Sequence, residues 1–304
     1  MIGQDAHSWR LSLDVSTSRG LSGGHPETEG LTADGRVVET VLHQHDVKLD
    51  LTRYELGLTR TFNENWDAFI RIPYFIKDQT ATVLFPNGGT AEERADAIRN
   101  GFAHHRTDLY EGFSDIELGV GWKKKNLLGA GSIVRFSFGL AIPTGATESD
   151  PLVAGDLGRI HNHIQFGNGT FDPILDFYYG RPLNDKWAFS VYAKGRFPLY
   201  ENHHGYRGSI EGTLIPRFTY LPNKKLSLSA GLAANYYGYT EWSGRRDPNS
   251  GQFSLNASLS AGYKFSERFT GSASLLLPVY TDSFSGEDTL DPAPTFSLSA
   301  AWSF

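Results

Sequence analysis

The sequence predicts an all-β transmembrane fold, an up-and-down antiparallel β-barrel of twelve strands, on three observations. First, apolar and polar side chains alternate with period two in twelve separate segments, so each segment would have one greasy face as a strand. Second, the connections are alternately short and long, the asymmetry of a barrel with short periplasmic turns and longer extracellular loops. Third, five of the six Trp stand at segment ends beside the short connections, a depth at which amphipathic rings line a membrane interface.

Composition is consistent with that fold and excludes others. The 304 residues are 39% apolar and 13% aromatic, with a mean hydropathy of −0.34. No run approaches the ~20 apolar residues of a spanning helix. A membrane chain of this kind must close a barrel, because only helices and closed barrels satisfy every backbone polar group in lipid. The absence of Cys removes disulfide frameworks and thiolate metal sites. A formal charge of −6 leaves no basic patch, so nucleic acid is not an expected partner. After Met1 the chain runs Ile-Gly-Gln-Asp without a basic or apolar leader pattern, so an exported chain is expected to have been processed at this end.

Taken in order, His7–Arg19 places Trp9, Leu11, Leu13 and Val15 on one face. Asp46–Phe62 carries Val47, Leu49 and Leu51, then Tyr54, Leu56 and Leu58; the slip near Thr52–Arg53 reads as a β-bulge in this strand. Trp66–Lys77 follows with Ile70, Ile72 and Tyr74, and Phe113–Lys123 with Ile116, Leu118, Val120 and Trp122. Next come Gly131–Pro143 (Phe136, Phe138, Leu140), Phe171–Leu183 (Leu175, Phe177, Tyr179) and Trp187–Leu199 (Phe189, Val191, Ala193). Arg207–Leu221, Leu226–Tyr239, Gly251–Phe265 and Phe269–Thr281 continue the pattern to the tail strand that ends at Phe304. Asn63–Asn65, Lys124–Ala130, Asn184–Lys186, Pro222–Lys225 and Ser266–Arg268 are the short turns. Within the long connection Asp78–Gly112, Ala91–Arg106 has few breakers and predicts a short external helix. Tyr74, Tyr200, Tyr236, Tyr237, Tyr239 and Tyr280 are expected to form the second aromatic girdle. Residues 1–304 are expected to form a single domain.

The faces opposite the greasy stripes are charged. Arg71, Lys77, Asp115, Glu117, Arg135, Asp176, Lys194, Arg196, Glu211 and Arg217 are the expected lumen-lining residues, with Arg10, Asp14, Lys48, Asp50, Arg53, Glu55 and Lys264 beside them. At mid-depth on a lipid face each Arg or Lys would cost ~2–4 kcal/mol, which forces them inward. Two readings follow: paired charges that fill the barrel, or a conduit for a small polar or anionic solute. The cationic excess around Arg71, Arg135, Lys194, Arg196 and Arg217 favours anions.

Four histidine pairs stand out, His43/His45, His104/His105, His161/His163 and His203/His204, one in each of the first four long loops. Neutral imidazole is a ligand for Zn, Cu and Ni, so these are the candidate metal ligands, with Asp46, Asp108, Asp156 and Glu201 as neighbours able to complete or orient a set. Pairs in different loops act together only if the loops converge, and spacing does not fix that. A non-conducting barrel whose His-rich loops bind a transition metal or a protein partner is the alternative function. Rim His and Asp also suit hydrolysis, as in Asp156 with His161/His163 or Asp108 with His104/His105. No Ser nucleophile accompanies them in a recognisable pattern, and an enzyme is not expected.

The tail Phe296-Ser-Leu-Ser-Ala-Ala-Trp-Ser-Phe304 resembles the C-terminal signal strand of Gram-negative outer-membrane barrels. That resemblance implies an outer-membrane location, both termini periplasmic, a lipid surround and recognition by the barrel-assembly machinery. Gly139-Leu-Ala-Ile-Pro-Thr-Gly145 and Gln165-Phe-Gly-Asn-Gly-Thr-Phe-Asp-Pro173 resemble the outer-membrane transporter family named for the meta-pathway of phenol degradation. This second resemblance implies an exported barrel with a transport role and transfers no catalytic or ligand residue. The charged lumen departs from what a channel for aromatic compounds would need.

Overall fold

Twelve strands follow one another around a closed sheet in the computed structural model, which describes residues 8–162, 165–284 and 289–304. They are β1 (Trp9–Leu31), β2 (Val37–Thr61), β3 (Trp66–Leu84), β4 (Asp108–Phe113, continued after a break by Ile116–Lys125), β5 (Ile133–Ile142) and β6 (Asp172–Pro182). The circuit continues with β7 (Trp187–Arg196), β8 (Glu211–Tyr220), β9 (Leu226–Tyr237), β10 (Gln252–Lys264), β11 (Phe269–Ser283) and β12 (Thr295–Ser303). Each pairs antiparallel with the next, and β12 returns to β1 with Leu11 opposite Trp302 and Leu13 opposite Ala300. Trp9 and Phe304 exchange backbone hydrogen bonds of 2.8 and 2.9 Å at the seam. In the barrel wall each strand is paired on both sides.

Four of the five short turns share one device. The side-chain oxygens of Asn63, Asn184 and Asn223 each accept the N–H groups two and three residues on, at 2.8–3.0 Å, and the Ser266 hydroxyl oxygen does the same. This local bonding replaces the ladder where the chain reverses.

Outward side chains form an exposed apolar belt that includes Leu11, Leu13, Leu56, Leu118, Phe138, Leu214, Phe218, Leu259 and Leu298. A chain surrounded by water does not leave so continuous a belt uncovered, and lipid is the medium that covers it. Trp9, Trp66, Trp187 and Trp302 stand exposed at the short-turn end, whereas Trp242 is buried in a small sheet at the other end. Replacing Leu298 with Arg is expected to cost ~2–4 kcal/mol of barrel stability, and Ser297→Arg, one residue along and facing the lumen, far less. Unfolding midpoints in lipid vesicles check this; equal losses would contradict the alternation. The second girdle is thinner than expected. Tyr200, Tyr236 and Tyr280 are exposed, but Tyr237 lies on the inward row opposite Glu211, and the Tyr239 hydroxyl donates to the Phe284 carbonyl at 3.1 Å.

The strand β2 contains no bulge near Thr52–Arg53, contrary to the sequence expectation. Its ladder with β3 runs unbroken from Gln44 opposite Leu84 to Thr61 opposite Asp67. The bulge is on β1, at Arg19–Gly20, where Ser18 faces Leu51 and Leu21 faces Leu49; the Gly20 N–H donates to Asp50 at 2.7 Å. Tyr54, Leu56 and Leu58 face outward, whereas Val47, Leu49 and Leu51 face inward. The apolar side changes because its neighbour changes. Near the short turns the outside of the sheet meets lipid; further along, β1–β3 extend past the barrel wall and α1 (Ala91–His104) packs on their inner side. On the outer side of this extension Lys48 and Asp50 are exposed, so neither lines the lumen.

The helix α1 forms where expected and ends two residues earlier. Thr90 and Glu93 close a capping box at its start, and Arg99 Nε and Asn100 Nδ2 donate to the Leu31 and Glu29 carbonyls at 2.7 and 3.0 Å. A second helix, α2 (Pro151–Asp156), was not anticipated; Asp150 caps it.

Candidate functional site

Half of the lumen wall is charged, and most of its charges pair. Arg71 and Glu117 are opposite each other on β3 and β4 and meet at 3.0 Å. Lys194 reaches the same carboxylate at 2.8 Å, and Arg71 also approaches Asp176 at 3.6 Å. The Tyr192 hydroxyl donates to Asp176 at 3.0 Å, and Arg135 bonds Asp67 at 2.7 Å. Glu211 is opposite Arg196 on the β7–β8 ladder. Of these groups Asp67 and Tyr192 escaped the sequence reading, although alternation from Trp66 and Val191 puts both on the inward row. Removing one partner of such a network costs more than forming it gains. Glu117→Ala would leave Arg71 and Lys194 facing each other, and a loss of about 1–3 kcal/mol is expected. Unfolding in vesicles measures it, with Glu117→Gln in between; an unchanged midpoint would show the network to be energetically idle.

The loop between β5 and β6 is seated on this charged wall near the barrel mouth. Asp115, whose side chain is fully buried, stands at the break in β4. Its carboxylate accepts the Gly145 N–H at 3.1 Å, the Asn168 N–H at 2.9 Å and the Arg196 guanidinium at 2.7 Å. Arg196 also holds Asp172 at 2.6 Å, which in turn accepts from Thr170 and from Asn168 Nδ2 at 2.5 and 2.7 Å. Lys77 donates to the Gln165 carbonyl at 2.7 Å and lies over the Phe166 ring at 4.7 Å. A Cβ on Gly167 would come within 2.2 Å of Asp115 Oδ1, so only glycine fits there. The Pro-Thr-Gly and Phe-Gly-Asn-Gly-Thr-Phe-Asp segments are thus two halves of one seat.

The other half of the wall, on β9–β12 and β1, is lined by small hydroxyl side chains. Ser229, Ser260, Ser274, Ser297 and Ser16 follow one another around it in register. A cavity of about 550 Å³ lies against this wall, and one of about 300 Å³ lies against Asp67, Arg71 and Arg135; Arg10, Ser12 and Asp14 border both. Arg217 reaches Ser258 Oγ at 3.5 Å and has no carboxylate partner among the described residues. Arg10 and Lys225, on the wall of the larger cavity, also form no ion pair among them.

The described histidines sort into two places. His43 and His45 are buried (0% and 1% exposed) on the inward face of β2, beneath α1. His45 lies opposite His25 of β1, their rings 5.2 Å apart. His104 and His105, at the end of α1, stack at 4.6 Å, and His105 comes within 5.3 Å of His25 and 5.7 Å of His45. His161 lies 4.7 Å from His104. Three of the four expected pairs therefore contribute to one cluster, together with His25, which the search for pairs passed over because it stands alone. His203 and His204 face each other at 3.8 Å in a separate turn, and no described contact joins them to the cluster. His163 lies outside the described residues. Asp46 is on the opposite face of β2 from His45, and Asp108 bonds Arg106 at 3.2 Å. Burial, with His25 and His43 alongside, pushes His45 down to about 3, so its ring is neutral; burial also lowers His161.

No protein-family model matches the chain, and no curated protein matches it in sequence. Its structure is similar to that of the COG4313 outer membrane channel from Pseudomonas putida F1, with a TM-score of 0.62 and 13% identity over 98% of this chain and 96% of that one. The NanC porin aligns over 95% of this chain and 98% of its own, at a TM-score of 0.46 and 10% identity. The likeness is one of fold. A likeness at this identity does not by itself show the phenol-degradation family that the two loop segments resemble.

Proposed function

We propose that the chain is a channel of the Gram-negative outer membrane that passes small anionic solutes. The short turns and both termini face the periplasm in this reading, and the β1–β3 extension, α1 and the loops lie outside. One observation carries it: most charges of the charged wall are held in ion pairs, whereas Arg217 beside the open seryl wall has no carboxylate partner among the described residues. A solute moving along the serines meets hydroxyl groups and an uncompensated guanidinium, which together attract an anion without binding it permanently. The loop seated by Asp115 and Arg196 narrows the outer mouth and limits the solute to small molecules.

Proteoliposomes containing the purified chain are expected to swell faster in a small organic anion than in an amine cation of the same size. Swelling no faster than in protein-free vesicles would instead support a filled barrel that works through its external loops.

A further inference from the structure

We propose that His25, His45 and His105 form a binding site for one divalent transition-metal ion of the zinc class, with His43, His104 and His161 around it. The inference does not depend on conduction. The three rings come from β1, β2 and the end of α1, and their candidate ligand nitrogens all lie within 4.8 Å of one another. Nε2 of His25 and Nε2 of His105 are already 3.1 Å apart. Ligands ~2.0–2.1 Å from a tetrahedral ion stand ~3.4 Å from each other, so small side-chain rotations bring all three onto one ion.

The buried rings supply an independent observation. Among the described residues neither ring nitrogen of His45 has a hydrogen-bond partner, and neither does Nε2 of His43. Buried polar atoms are nearly always paired, so two fully buried imidazoles with open nitrogens point to a ligand that completes them. His43 is also oriented for it: its Nδ1 is 2.9 Å from the Val41 carbonyl, and donating there leaves the Nε2 lone pair free. Histidines that hold metals are fixed in this way through their second nitrogen.

The fold brings the helix down onto the cluster. A Cβ on Gly101 would lie 2.6 Å from the Val83 side chain and 3.7 Å from His45 Nε2, so a glycine at this point lets α1 close over the rings. His104 and His105 then sit at the helix C-terminus, the negative end of its dipole, which favours a cation. The donors are all imidazole, without thiolates, which selects Zn, Ni or Cu(II) over the hard ions Mg and Ca. An ion held here would staple α1 to the β1–β2 hairpin, and His161 beside His104 extends the cluster to the loop after α2.

The test uses untagged, metal-stripped, folded full-length protein in detergent micelles, titrated calorimetrically with zinc chloride and nickel chloride. One saturable site of micromolar or tighter affinity is expected. His25→Asn and His105→Asn should each weaken it at least ~10-fold, while the double variant His203→Ala/His204→Ala should leave it unchanged. His45→Asn alters a buried ring and can fail to fold, so the half-buried His25 is the deciding position. Zinc should also slow proteolysis within α1 of the unsubstituted protein relative to chelator, and should not do so in His25→Asn. No saturable binding, binding undiminished in His25→Asn/His105→Asn, or binding lost with His203 and His204 would overturn the proposal.

Discussion

Asp115→Ala is expected to raise the single-channel conductance several-fold and to add large current fluctuations. The Asp115 carboxylate joins three groups at one buried point: the backbone of Gly145, the backbone of Asn168 and the guanidinium of Arg196. Breaking a buried charge pair by removing one partner typically costs about 3–5 kcal/mol, and here most of that cost falls on the seat of the loop. A seat weakened by even about 3 kcal/mol multiplies the unseated population on the order of 100-fold. The mouth then opens and closes on the electrical timescale. Asp115→Asn keeps the shape and loses the charge, and should fall between. Single-channel recordings identical to those of the parent protein would show that this loop does not limit the pathway.

The second large effect is on charge selectivity. Arg217→Glu is expected to turn an anion-preferring reversal potential into a cation-preferring one in a tenfold salt gradient. The substitution changes the local charge by two units beside a wall lined mainly by hydroxyl groups, and Arg217 has no carboxylate partner among the described residues. Arg217→Ala should bring the reversal potential close to zero. Arg71→Ala is an instructive contrast, because it also releases Glu117 and Asp176 from their partner and so pushes selectivity toward cations by a different route. A reversal potential insensitive to position 217 would place the pathway elsewhere.

The barrel was legible in the sequence because lipid and lumen impose opposite demands on successive residues, and a period of two is hard to mistake over twelve segments. The same logic misled where the surroundings changed. Val47, Leu49 and Leu51 are apolar on the inward face of β2, the face on which α1 packs further along at His45, and a reading that assumes lipid outside throughout turns this into a bulge and sends Lys48 and Asp50 inward. The lumen charges were visible by alternation, but their partners were not. Asp172 was read as part of a motif, and only the folded loop shows it sharing Arg196 with Asp115. The histidine pairs were visible as pairs, whereas their convergence depends on a hairpin extension, a helix and a loop meeting in space. His25 carries no local signal at all and is recognised only by the register that sets it against His45.

The proposed function requires that the barrel conduct. Purified, refolded protein added to a planar lipid bilayer between unequal potassium chloride solutions tests it most directly. A reproducible open-channel current with a reversal potential on the anion side is the expected result, and a bilayer that stays silent, or a current carried by cations, would contradict it.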